Sequence, residues 1–64
     1  MKYKLMRISK VVELTGLSKT TIYLHISQGT FPRQIQLGKR SVAWIESEIE
    51  DWIEERMNNR DIMP

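Results

Sequence analysis

The chain has 64 residues, with ten Lys or Arg, eight Asp or Glu, one His and no Cys. A chain this short builds one domain on a small core, without disulfides or thiolate metal ligands to staple it, a usage that fits a reducing cytoplasm. The net charge of +2 hides a division: residues 1–44 hold eight Lys or Arg against Glu13, a net of +7, and residues 45–64 hold two against seven acids, a net of −5.

Such segregation suggests one region for a polyanion and another kept away from it, although basic residues on a small domain also serve simply as wetted surface. The N-terminal MKYKLMRISK is basic but has no apolar run of signal-peptide length. Nothing approaches the roughly 18 to 20 apolar residues of a membrane span. The expectation is a soluble cytoplasmic protein with no membrane partner.

Residues 11–28, VVELTGLSKTTIYLHISQ, read as two short helices joined by one tight turn. Val11, Val12 and Leu14 give the first helix an apolar side. Gly16 stands where a helix needs a left-handed residue to stop, since glycine has no Cβ to clash there. Leu17 follows as an apolar plug, and Ser18 is a preferred N-cap for a second helix over residues 19–28. Ile22 and Ile26, four apart, mark its buried side. Lys19, Thr20, Thr21 and Tyr23 supply hydrogen-bonding or cationic groups between them. A short capped helix with an apolar back and a polar front fits a major groove, whose base edges present donors and acceptors. The helix-turn-helix is placed at about residues 8–28.

Gly29 ends the second helix, and Phe31-Pro32 enforces an extended exit, because a residue before proline avoids the helical region. QIQLGKRSVAW then alternates: Ile35 and Leu37 on one side, Gln34 and Gln36 on the other. Val42 and Trp44 resume the apolar side across Gly38-Lys39-Arg40, which predicts a β-hairpin over about residues 33–44. Its tip carries two cations, either a solvated turn or a wing meeting phosphates. Directly after a helix-turn-helix, the wing is the better reading.

In the last element, WIESEIEDWIEERM, Ile45, Ile49, Trp52, Ile53 and Met57 recur at helical spacing with acids between them. The predicted helix spans about 46–58, with a capping-box pair at Ser47 and Glu50. Trp44 and Trp52 are assigned to the core. Asn58 to Pro64 form a polar, frayed tail.

Catalytic constellations are missing. There is one His, no Cys and no glycine-rich phosphate loop, and an exposed acidic helix face supplies no pocket to shift a pKa. His25, between Ile22 and Ile26, reads as a half-buried helix residue. The expectation is a protein that is not an enzyme and needs no metal or other cofactor.

Residues 7–53 resemble the AlpA-type phage and prophage regulators, small relatives of the excisionase and MerR-like winged-helix DNA-binding domains. The resemblance lies in TGLS (15–18), TIY (21–23), G-x-FP (29–32), LG-x-RSVAW (37–44) and SEIEDWI (47–53). It implies transcriptional control within a mobile element, typically of integrase or excision functions, with residues 19–28 as recognition helix. The fold implied is a mostly α winged helix-turn-helix, about three helices with a two-stranded wing. Leu24-His25 stands where a basic residue followed by Leu is often seen, which removes a phosphate-contacting cation. The long dimerisation helix and effector domains of full MerR proteins have no counterpart, so no small-molecule effector is expected.

The expected partner is double-stranded DNA. Lys19, Thr20, Thr21 and Tyr23 are assigned to base edges and adjoining phosphates, and Arg33, Lys39 and Arg40 to backbone or minor groove. Ser18 would lend its own amide to a phosphate. Self-association on DNA and contact with RNA polymerase stand open as further partners. Two alternatives accompany this reading: an architectural excisionase-like protein that bends DNA, and an adaptor holding a basic partner through Glu50, Asp51, Glu54 and Glu55.

Overall fold

The computed structural model describes residues 2–60. The elements in chain order are β1 (Leu5–Met6), α1 (Ile8–Thr15), α2 (Lys19–Ser27), β2 (Ile35–Gln36), β3 (Val42–Ile45) and α3 (Glu46–Asn59). The strands form an antiparallel sheet in the order β1-β3-β2. This is the mostly α winged helix-turn-helix expected from the sequence, with one strand more than the two anticipated.

Local chemistry sets the helix boundaries. α1 stops at Gly16, whose φ is 74° and whose amide donates to the Val12 carbonyl at 2.8 Å. That is the single-bond left-handed stop, and a Cβ would strain it. Thr15 stiffens the same turn: its hydroxyl donates to the Val11 carbonyl at 2.8 Å and accepts from the Leu17 amide at 3.2 Å. α2 ends through Gly29, also at φ 74°. There the Gly29 amide donates to Ile26 at 3.0 Å and the Thr30 amide to His25 at 2.9 Å. This bond pair is a Schellman motif, which satisfies carbonyls that a helix end otherwise leaves orphaned.

The core comprises Met6, Val11, Ile22, Phe31, Trp44 and Ile49, lined by Ile8, Val12, Leu17, Tyr23, Ile26, Val42, Trp52 and Ile53. Val11, Ile22, Trp44 and Ile49 are fully buried, and burial of each such side chain is worth about 1.5–3 kcal/mol. Both tryptophans take the assigned place, and both satisfy their indole N–H: Trp44 donates to the Pro32 carbonyl at 3.1 Å and Trp52 to Thr30 at 2.8 Å. Trp52 also sets an edge against Phe31, with centroids 4.8 Å apart.

Several expectations require correction. In α1 the buried stripe runs through Ile8, Val11 and Val12, and Leu14 is left exposed. In the hairpin, Ile35 pairs with Ala43 and Gln36 with Val42. Opposed residues share a face, so Ile35 does not join Val42 and Trp44. A three-residue turn over 38–40 pairs odd numbers with odd, and a one-residue change in register moves a side chain across the sheet. Leu37 lies outside the strand and is exposed.

α3 begins at Glu46, with Ile45 as N-cap and no side-chain cap. The expected Ser47 cap does not form because β3 runs straight into the helix. The Glu46 amide instead donates to the Lys4 carbonyl at 2.8 Å. Met57 is exposed rather than part of the apolar stripe, and residues 54–59 are exposed throughout. Asn58 and Asn59 are helical, not tail; residues 61–64, where the rest of the tail was expected, lie outside the described residues.

Candidate nucleic-acid interface

α2 is capped as anticipated. The Ser18 Oγ accepts from the Thr21 amide at 3.1 Å and donates to the Thr21 Oγ1 at 2.9 Å. These two residues therefore serve the fold first, and what Ser18 offers outward is its backbone. The amides of Ser18, Lys19 and Thr20 have no acceptor among the described residues. Together with the helix dipole they give this end of α2 a partial positive charge, which suits a phosphate oxygen.

Ile22 is fully buried and Ile26 packs on the core. At 100° per residue, Thr20 and Leu24 lie roughly 160–200° from Ile22 around the helix, with Ser27 and Gln28 beside them. All four are exposed, so they form the outward face. Ser27 turns its hydroxyl onto the Leu24 carbonyl at 2.7 Å. The hydroxyl of Thr20, the side-chain carboxamide of Gln28 and the ammonium of Lys19 make no hydrogen bond or ion pair among the described residues. The residues chosen from the sequence do not include Leu24 or Gln28, although both follow Thr20 in steps of four.

Tyr23 sits on the flank of α2, half-buried, with its ring edge-on to Trp44 at a centroid distance of 6.1 Å. Its ring is committed to the core, which ties α2 to β3; the phenol hydroxyl is what it retains for a ligand. His25 is half-buried, as expected, and its Nδ1 lies 3.1 Å from the Thr30 Oγ1 beside the Schellman turn.

The wing is a loop over residues 37–41. The Leu37 and Gly38 amides both donate to the Ser41 carbonyl, at 2.7 and 3.3 Å. The Gln36 side-chain amide donates to the Gly38 carbonyl and, at 3.3 Å, to that of Lys39. These bonds turn the loop's carbonyls inward. Lys39 and Arg40 are exposed at its tip, and Arg33 is exposed two residues before β2. None of the three makes an ion pair among the described residues. Arg7, by contrast, spends Nη1 on the Val42 carbonyl at 3.4 Å and braces β3.

The cations of the wing and the start of α2 share no direct hydrogen bond; Ser18 and Thr21 are the site residues the structure joins directly. The α3 side has the opposite character. A shallow open groove between α3 and the segment after α2 is lined by Thr30, Phe31, Pro32, Asp51, Trp52 and Glu55. Arg56 lies over the Trp52 ring at 4.7 Å, and the surrounding acids repel a polyanion.

Among the described residues, no group of three or more His, Asp or Glu is placed to hold a metal ion. No helix there is long and apolar enough to cross a membrane.

Residues 4–57 match the family described as prophage CP4-57 regulatory protein (AlpA). The chain is 42% identical over 57 residues to the uncharacterised protein ORF88 of Enterobacteria phage P4, covering 89% of this chain and 65% of that protein. It is 36% identical over 59 residues to the DNA-binding transcriptional activator AlpA of Escherichia coli K12, covering 83% of this chain and 84% of the relative.

Proposed function

The chain belongs to the AlpA family of prophage regulatory proteins, and from that premise we propose that it is a sequence-specific regulator that binds double-stranded DNA. α2 enters the major groove with its N-terminus toward a phosphate. Thr20 meets base edges, while Lys19 and the Tyr23 hydroxyl reach base edges or the adjoining backbone. Thr21 contributes through the cap that orients this end. Arg33, Lys39 and Arg40 hold backbone or minor groove from the wing. The observation that carries this reading is the outward face of α2: unpaired donors on a helix whose back is locked into the core. The name of the Escherichia coli relative supports DNA as the partner.

The finer reading, that the regulated genes serve integration or excision of a mobile element, rests on the resemblance to prophage regulators. Footprinting and reporter assays on the DNA flanking the gene test it. For binding itself the test is salt. Contact with about five phosphates predicts that log affinity falls with log salt at a slope of about −4 to −5, as condensed counterions are released. A slope near zero, or no binding at low salt, overturns the reading.

A further inference from the structure

α2 holds three apolar residues at successive even positions, Ile22, Leu24 and Ile26. Two face inward; Leu24 is 53% exposed. It lies near the middle of the outward face, with Thr20 one turn before it and Gln28 one turn after. A scattered exposed leucine is ordinary on a protein surface. This one stands apart because of its company: it is flanked along the helix by two side chains with unspent hydrogen-bonding groups, on the element whose free amides and Lys19 are arranged for phosphates.

In a major groove, a polar side chain can match the nitrogen and oxygen edges of every base pair. The apolar group displayed there is the 5-methyl of thymine. We propose that Leu24 is a specificity-determining residue that packs against a thymine methyl, between contacts made by Thr20 and Gln28. The proposal rests on the reading of α2 as the groove-binding helix and adds to it the kind of base that its centre selects. A second copy of the chain packing on Leu24 is the rival occupant. A single leucine among polar neighbours offers far less apolar area than a stable protein interface needs.

The test uses the full chain and a duplex that it selects from a random-sequence library. Each thymine in the protected region is replaced in turn by deoxyuridine, which deletes the methyl and leaves every hydrogen-bonding group in place. At one thymine the wild-type protein is expected to lose about fourfold in affinity, the fold-change for one buried methyl-sized group. Leu24→Ala is expected to bind the thymine duplex more weakly and to lose that discrimination, and Leu24→Met to keep it. Thr20→Ala, measured alongside, is expected to lose cognate affinity while retaining the uracil penalty.

If no thymine substitution matters, or if Leu24→Ala retains the full penalty, the proposal is overturned. It is also overturned if Leu24→Ala leaves affinity unchanged and alters sedimentation, which would assign the residue to a second copy. In these cases a cognate-specific loss in Thr20→Ala would leave the groove reading of α2 intact. If Thr20→Ala, Leu24→Ala and Gln28→Ala all bind normally, the reading of α2 itself falls.

Discussion

α2 and α3 are built on one plan and finished in opposite ways. Each buries an isoleucine completely, Ile22 in one and Ile49 in the other, and each carries an aromatic residue against the core. Outward, α2 presents Thr20, Leu24 and Gln28 and opens with free amides, whereas α3 presents Glu50, Asp51, Glu54 and Glu55. The buried sides orient the helices; the outward sides differ in what they can meet. A groove that is a polyanion with base edges suits the first and repels the second.

The comparison breaks hardest at the shared plan. Ile22→Ala and Ile49→Ala are each expected to cost about 2–5 kcal/mol, because each deletes a fully buried side chain and leaves a cavity in a small core. Chemical denaturation measures the loss. A cost below about 1 kcal/mol at either site would mean that the helix is not held by its back.

Next in size is the cap that belongs to α2 alone. Ser18→Ala removes the acceptor of the Thr21 amide and is expected to cost about 1 kcal/mol, whereas Ser18→Asp restores it. By contrast, Ser47→Ala in α3 is expected to change stability little, because no side chain caps that helix. Equal costs at the two serines would contradict the assigned boundaries.

The smallest effect belongs to the acidic surface. Replacing Glu50, Asp51, Glu54 and Glu55 with Lys is expected to leave DNA affinity undiminished, or to raise it by removing repulsion. If DNA binding survives while regulation in cells is abolished, α3 contacts a protein, and the adaptor reading gains.

The helix-turn-helix was legible in the sequence because its signals are local. Gly16, Ser18 and Gly29 each act on neighbours within five residues, and the left-handed stop, the cap and the helix end expected of them are present. What escaped was nonlocal or depended on parity. β1 has two residues, and its partner lies some forty positions away on β3, so no periodicity announces it. The facing of Ile35 depends on the odd length of the turn rather than on its own alternation. The Ser47 pattern is preempted because β3 runs directly into a helix that already starts at Glu46, whose amide the fold satisfies through the Lys4 carbonyl.

Within the site, Ser18 makes the cap expected of it, while the hydroxyl of Thr21, assigned to DNA from the sequence, is engaged in that same cap. Tyr23 was chosen as an outward group, and its ring is packed on Trp44. Leu24 enters the sequence reading only as the place of a missing phosphate-contacting cation, although its spacing from Ile22 puts it on the outward side. Tyr23→Phe, which keeps the ring and removes only the hydroxyl, is therefore the informative change at that position.

The central claim is that α2 reads bases and the wing holds backbone, and one binding comparison tests it directly. Affinity for selected and scrambled duplexes is measured for Thr20→Ala and for Lys39→Ala with Arg40→Ala, at matched thermal stability. Thr20→Ala is expected to lose about 1–3 kcal/mol on the selected duplex and little on the scrambled one. The wing variant is expected to weaken both alike and to make the salt slope shallower by about one per lost contact. If the wing variant alone lost preference for the selected duplex while Thr20→Ala bound normally, the hairpin would be the reader and α2 only its support.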